Sequence, residues 1–168
     1  SSDVCSSDLY AGFRAYRGVL PMEKVQDWRR EAHQVWMGEG KHFMTFPLRS
    51  GTLLNYVGFV PTSNETIESW SAEGDRDELA ESFAGWDPRV TSLLSKVETC
   101  FWWGLYDRQP LGKWVNGRLA LLGDAAHPMY PIGSNGASQA ILDADALALA
   151  LLAEKDIIQA LENYDQER

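Results

Sequence analysis

The chain contains 168 residues, of which 45% are apolar and 23% are charged, and its net charge is −9. This excess of acidic residues argues against a nucleic-acid partner, because phosphate binding needs clustered Lys and Arg. The apolar tracts are shorter than the roughly 20 residues that span a bilayer, and two cysteines cannot form a disulfide framework, so we expect a cytoplasmic protein without a membrane segment. The three histidines lack the spacing of metal ligands, so no metal site is predicted.

Residues 1–112 contain no regular alternation of strand and helix. Residues 1–9 are rich in Ser and Asp, and we expect them to be a disordered leader that is foreign to the fold. The predicted strands are residues 10–20, 43–48, 52–60 and 99–106, with the second and third joined as a hairpin by Arg49, Ser50 and Gly51. The predicted helical segments are one with a face of Val25, Trp28, Ala32, Val35 and Trp36, and one that starts at Asp87 and Pro88.

Several residues of this first part are candidates for contact with a ligand. Trp102 and Trp103 are neighbours on a predicted strand, so at most one of them can face a pocket, and both can equally belong to the core. Phe46 and Asn55 lie on the two strands of the predicted hairpin. Arg108 could bind an anionic group through its fork of N–H donors, or it could pair with a neighbouring acid.

Residues 119–122 have the length and flanks of a buried strand, and Gly123 then lets the chain leave the sheet. Asp124 follows at the carboxyl end of this strand, where open α/β sheets bind ligands, and its carboxylate could accept hydrogen bonds from a polyol. Asp124 could instead cap a turn or the next helix. The loop that follows contains Pro131, Gly133 and Gly136, and it favours the ligand site because glycines let a planar ligand approach the backbone.

Two helices are predicted in the remainder of the chain. The apolar face of the first has i, i+3, i+4, i+7 spacing and comprises Ala137, Ala140, Ile141, Ala144, Leu147, Ala148 and Leu151. Its first turn has N–H groups without intrahelical partners, so the backbone of residues 136–138 could stabilise negative charge on a ligand. The second helix starts at Asp156 and Gln159 and has a face of Ile157, Ala160, Leu161 and Tyr164.

One family resemblance rests on residues 123–143, which read GDAAHPMYPIGSNGASQAILD. This segment resembles the second flavin-binding motif of the single-component FAD-dependent aromatic hydroxylases, the monooxygenases typified by p-hydroxybenzoate hydroxylase. Residues 10–18 and 106–111 are weaker matches to the branch that includes salicylate, 3-hydroxybenzoate and phenazine hydroxylases. The resemblance therefore extends from about residue 10 to the last residue.

The resemblance implies a partial flavin monooxygenase fold of mixed α+β and α/β class. Residues 10–112 would form a β-sheet substrate domain, and residues 113–168 would supply the last strand, loop and helix of a Rossmann-like FAD-binding domain. The residues implied in FAD binding are Gly123, Asp124, Pro131, Gly133, Gly136, Ala137 and Ser138, with Asp124 on the ribityl chain, Pro131 near the ring and the backbone of residues 136–138 at its pyrimidine edge. The candidates for contact with substrate or NAD(P)H are Arg108, Phe46, Asn55, Trp102 and Tyr130. No catalytic residue is assigned, and His127 is expected to be structural.

The implied activity is hydroxylation of a small aromatic substrate. In this family NADH or NADPH reduces FAD, O2 adds to the flavin, and the resulting flavin hydroperoxide transfers a hydroxyl group to the ring. The family's first motif, the Gly-x-Gly-x-x-Gly turn that holds the FAD pyrophosphate, does not occur in this sequence, so we expect an incomplete and by itself inactive copy. Two alternatives are a flavin-dependent halogenase or reductase of the same fold, and a non-catalytic remnant that does not bind FAD.

Overall fold

The computed structural model describes residues 9–25, 28–63, 72–133 and 135–168. These residues form two compact units, Tyr10–Leu105 and Tyr106–Arg168. The functional division expected after residue 112 stays a prediction. The leader predicted over residues 1–9 lies outside the described residues, except for Leu9, where the first strand begins.

The first unit contains a six-stranded sheet. Its strands are β1 (Leu9–Pro21), β2 (Gln34–Gly38), β3 (Lys41–Leu48), β4 (Leu53–Pro61), β5 (Ala72–Gly74) and β6 (Cys100–Asp107), in the order β2-β3-β4-β1-β6-β5. The pairs β1–β4, β2–β3, β3–β4 and β5–β6 are antiparallel. The four predicted strands are confirmed, as is the hairpin whose turn holds Arg49, Ser50 and Gly51 at positive φ.

Two short helices cover one face of this sheet. They are α1 (Arg76–Ser82) and α2 (Pro88–Leu94), and each begins at an aspartate, Asp75 or Asp87, whose side chain accepts hydrogen bonds from the first-turn N–H groups. The buried core between sheet and helices includes Tyr16, Phe43, Leu54, Tyr56, Leu79, Phe83, Val90, Leu93 and Cys100. We call the opposite side of the sheet the second face. The start predicted at Asp87 and Pro88 is confirmed.

The helix predicted from the spacing of Val25 to Trp36 is wrong. Met22–Val25 is a single 3-10 turn, and Val35 and Trp36 belong to β2, which pairs with β3. Burial along β2 follows a period of two, because Trp36 packs on the core while its neighbours Val35 and Met37 are 49% and 72% exposed. Strand pairing across the turn at Glu39 and Gly40, both at positive φ, overrides the helical spacing.

The second unit consists of a short hairpin, turns and two helices. The hairpin joins β7 (Val115–Asn116) to β8 (Leu119–Ala120), and 3-10 turns occupy Gly123–Ala125 and Pro131–Gly133. Helices α3 (Gly136–Ala153) and α4 (Ile157–Glu167) pack together around a core of Val115, Ala146, Ala150, Leu161 and Tyr164. Asp156 caps α4 as predicted, although Ile157 lies outside the buried face.

Two expectations for this unit are wrong. Residues 119–122 are not a buried strand, because β8 has two residues, pairs only with β7 among the described residues, and leaves Leu119 63% exposed. The buried residues of α3 are Asp143, Ala146 and Ala150, whereas Ile141 is 69% exposed. Apolar residues occur on nearly every side of α3, so its packing against the turn at Gly123 and against α4 selects the buried face.

By length and composition alone, α3 is also apolar enough to cross a membrane. A single helix of this kind is weak evidence, because core helices of soluble proteins meet the same criterion.

Candidate functional site

A glycine at position 123 is required by both backbone conformation and space. Gly123 has a φ of +58°, in the left-handed region that side chains disfavour. A Cβ built on it would lie 3.1 Å from Cβ of Ala140 on α3. The turn therefore packs its backbone directly on α3, and Asp124 follows at once.

Asp124 lies beside the start of α3. Its carboxylate is exposed, and its Oδ1 is 3.7 Å from the position that a Cβ on Gly136 would occupy. The structure thus brings together the two features that sequence patterns proposed for one ligand, a carboxylate and a helix N-terminus. A side chain at position 136 would enter the space between them.

Within the part of the chain that the structure describes, no side chain caps the first turn of α3. Asn135 precedes the helix and makes no side-chain hydrogen bond to its N–H groups, while Ala137 and Ser138 are exposed. Uncapped N–H groups carry the positive end of the helix dipole and suit the electron-rich edge of a flavin ring. The adjacent Asp124 carboxylate suits the hydroxyls of a ribityl chain. These residues fit the flavin and ribityl part of FAD.

The loop between Asp124 and α3 carries the remaining candidates. Pro131 and Gly133 lie in an exposed 3-10 turn, and Tyr130 is half-buried. A Cβ on Gly133 would lie 3.3 Å from Nδ2 of Asn135, so the loop is tight at this point. Their contact with a flavin remains a prediction.

A buried charged cluster lies behind this loop, and sequence reasoning gave it no role. The Asp143 carboxylate on α3 is 0% exposed and accepts hydrogen bonds from Gly123 N (2.7 Å) and Arg168 Nε (2.7 Å). His127 Nε2 lies 2.5 Å from the same carboxylate. Burial works to raise the pKa of Asp143, but the hydrogen bonds from Gly123, His127 and Arg168 outweigh it and hold the pKa below its usual value. The sequence signal for this cluster was the acidic residue Asp143 within a mostly apolar helix.

The other candidates lie in the sheet of the first unit. Phe46 and Asn55 are directly opposite each other on β3 and β4, and the alternation of these strands places both on the second face. Trp102 lies on the helix-covered side, with its ring 4.5 Å from the Arg14 guanidinium. Its neighbour Trp103 lies on the second face, 5.0 Å from the Arg17 guanidinium. The prediction that at most one of these tryptophans faces that side agrees with this alternation.

His42 also lies on the second face, and sequence reasoning did not select it. It precedes Phe43, which points into the core, and pairs in register with Phe59 on β4. Its Nδ1 is buried without a hydrogen-bond partner among the residues that the structure describes. A buried ring nitrogen left in this way is costly unless a ligand supplies the partner. In the sequence, His42 comes directly before the core residue Phe43 on a strand, so alternation places His42 on the opposite face of the sheet.

Arg108 belongs to the second unit. It is exposed, and its backbone N–H donates to Oδ1 of Asp107 at 2.9 Å. The binding of an anionic group by its guanidinium stays a prediction. Within the described residues there is no group of His, Cys, Asp and Glu that could hold a metal ion.

Comparison with known proteins places this chain in a family. Residues 13–168 match the family model described as FAD binding domain. The chain is 39% identical over 159 residues to 3-hydroxybenzoate 6-hydroxylase 1 of Aquipseudomonas alcaligenes, covering 94% of this chain and 40% of that protein. It spans about 40% of the length of the curated relatives that it matches.

Solved structures give the same result. The structure of HpxO from Klebsiella pneumoniae with FAD and uric acid has a TM-score of 0.81 at 30% identity, covering 96% of this chain and 41% of that one. A salicylate hydroxylase substrate complex also has a TM-score of 0.81 at 30% identity, with 98% and 44% covered. The mixed α and β fold predicted from the resemblance is confirmed. The chain is similar to aromatic hydroxylases, as the motif at residues 123–143 predicted, and it belongs to the FAD binding domain family.

Proposed function

We propose that this chain forms part of an FAD-dependent monooxygenase that hydroxylates an aromatic ring with NADH or NADPH and O2. The observation that carries the proposal is the exposed Asp124 carboxylate, which lies beside the uncapped first turn of α3 within the family's flavin motif. In this proposal, residues 10–112 bind the substrate and residues 113–168 bind FAD, as the family resemblance implies.

FAD, when bound, supplies electron transfer from NAD(P)H and activation of O2. This chain's own residues bind and orient it. Asp124 accepts hydrogen bonds from the ribityl hydroxyls, and the N–H groups of residues 136–138 stabilise negative charge on the ring. Gly133, Gly136 and Pro131 let the planar ring approach the backbone closely, and Gly123 fixes the turn that carries Asp124.

The substrate class we propose is a hydroxylated aromatic acid bound on the second face of the sheet. Several relatives at 32–39% identity are named as hydroxylases or monooxygenases of hydroxybenzoates or salicylate. On this face Phe46 can pack on an aromatic ring, while Asn55, directly opposite it, can hydrogen-bond a hydroxyl group at that end of the substrate. His42 lies four residues from Phe46 along β3, so its buried Nδ1 can hydrogen-bond only a group at the other end of the substrate. Arg17 is the nearby cation suited to a carboxylate.

The test joins this chain to the part of 3-hydroxybenzoate 6-hydroxylase 1 that lies outside the region of similarity, since the chain covers only 40% of that relative. The purified chimera, checked for cooperative unfolding, is given NADH or NADPH, ¹⁸O2 and a panel of hydroxylated benzoates. We expect one ¹⁸O atom in a ring-hydroxylated product.

Substitution of Asp124 by Ala should weaken FAD binding about 5- to 150-fold, the effect of losing about 1–3 kcal/mol of hydrogen bonding. Asp145→Ala, which removes an exposed carboxylate from α3, is the matched control.

Other outcomes separate the alternatives. A folded chimera that binds FAD and yields halogenated or reduced products would favour a halogenase or reductase. A folded chimera that binds no FAD would favour a non-catalytic remnant. His42→Phe tests the substrate face: a KM for hydroxylated substrates unchanged from that of the Val35→Ala control, which alters an exposed residue of the same face, would remove His42 from the site.

A further inference from the structure

The Asp143 carboxylate connects three parts of the second unit. It lies on α3, is wholly buried, and accepts hydrogen bonds from the Gly123 backbone and from the side chain of Arg168 at the end of α4. His127, from the loop, contacts the same carboxylate through Nε2 at 2.5 Å. A buried carboxylate is destabilising unless such partners compensate it, so these three donors hold Asp143 in place and are held by it.

Both ends of the turn that carries Asp124 meet this one carboxylate. Gly123 donates its N–H to Asp143 Oδ2 at 2.7 Å, a short distance typical of a bond to a charged acceptor. Four residues later, His127 reaches the same oxygen, and its backbone N–H also donates to Gly123 O at 2.9 Å. The turn is therefore closed on itself and fixed to α3 at its first and last residues.

The same side of α3 fixes where Asp124 lies. Gly136, Ala140 and Asp143 have helical spacing, so they share one face of α3. Gly123 packs on Ala140 and bonds to Asp143, while Asp124 lies next to Gly136. A shift of the turn relative to Asp143 would therefore move the Asp124 carboxylate relative to the N-terminus of α3.

We propose that Asp143 is a positioning residue for FAD: it holds the Gly123–His127 turn on α3 so that Asp124 and the α3 N–H groups meet one cofactor. Asp143 itself touches no part of FAD and acts through Gly123 and His127. The charged or titratable groups that face it are His127, Arg168 and the hydroxyl of Tyr164 on α4. The lowered pKa of Asp143 keeps this acceptor ionised above acidic pH. This inference rests on the proposed function, because the turn is useful only if Asp124 binds FAD.

The experiment compares Asp143→Asn with Asp145→Asn in the ¹⁵N-labelled 168-residue chain. Asp145 is exposed on the same helix two residues later, so this control removes an equal charge without touching the cluster. We expect the Gly123 amide proton of the wild type to titrate with the Asp143 carboxyl, at a pH below the usual aspartate range. This titration should be absent in Asp143→Asn and retained in Asp145→Asn.

The second readout is the response to FAD. At a subsaturating FAD concentration, the FAD-induced shifts of the amides of residues 136–138 should fall by about threefold or more in Asp143→Asn only.

A Gly123 titration or FAD response that is the same in both variants would overturn the inference. If Asp143→Asn does not fold, Arg168→Gln replaces it, because Arg168 is near the surface and its loss leaves the carboxylate and the turn intact. That variant should move the titration of the Gly123 amide toward the usual aspartate range, and an unmoved titration would equally overturn the inference. If FAD shifts no amide of residues 136–138 in the wild type, the proposed function fails, while the Gly123 titration still decides whether Asp143 holds the turn.

Discussion

Gly123 and Gly117 have similar backbones but different surroundings. Both lie at a positive φ, +58° and +60°, yet a Cβ at 117 meets nothing within 4 Å, whereas one at 123 meets Ala140 at 3.1 Å. Gly117→Ala should therefore lower the free energy of unfolding by only about 1–2 kcal/mol, the penalty for a residue with a side chain in the left-handed conformation. Gly123→Ala should cost about 1–3 kcal/mol more, because α3 must also move. Equilibrium denaturation followed by circular dichroism, with Gly112→Ala as the unstrained control, measures both losses of stability. Equal losses would contradict the close packing of the turn on α3.

For single residues, the sequence-based predictions succeeded where the structure depends only on neighbours in sequence. The alternation of neighbouring residues on a strand separated Trp102 from Trp103, and the Asp-Pro pair located the start of α2. Sequence reasoning gave no role to Asp143, because the importance of this residue depends on partners distant in sequence, nor to His42, whose Nδ1 is buried only in the folded chain. The Gly123 amide and Arg168 meet Asp143 only after α3 and α4 pack.

Helix α4 begins at Asp156, whose side chain accepts hydrogen bonds from the backbone N–H groups of Ile158 (2.8 Å) and Gln159 (3.2 Å). Asp156→Ala leaves both donors without this partner and should destabilise the unit by about 1 kcal/mol. Glu162→Ala, at an exposed position in the same helix, removes an equal charge and is the control. Thermal unfolding by circular dichroism measures the difference, and indistinguishable midpoints for the two variants would show that the cap contributes nothing.

The elements also show where periodicity fails. Residues 25–36 had acceptable helical spacing, but the chain forms a 3-10 turn and then a strand, since pairing of β2 with β3 buries Trp36 against Phe43 and Trp28. In α3 the helix itself was predictable, but not its buried face, because apolar residues occur on both sides of it. Periodicity identified the element, and tertiary partners decided its orientation.

At the scale of the molecule, one motif was enough to predict the family. Its residues satisfy constraints on backbone conformation and also supply the groups that suit a ligand. Gly123 satisfies a conformational and a packing constraint, and Asp124 and Gly136 lie together beside an uncapped helix start. The buried strand expected at residues 119–122 was not found, because β8 pairs only with β7 within the described part of the chain. Several apolar residues of α3 are also exposed, such as Leu152, which is 83% exposed.

The central claim is that Asp124 and the first turn of α3 form one flavin site. The most direct test is to titrate FAD into the ¹⁵N-labelled 168-residue chain and map the amide shifts. Affinity should be weak, because the sequence has no Gly-x-Gly-x-x-Gly turn for the pyrophosphate, but even weak binding shifts amides that contact the ligand. We expect the largest shifts at Asp124 and at residues 136–138, and their loss in Asp124→Ala. Shifts confined to other parts of the chain, or none at millimolar FAD, would contradict the account.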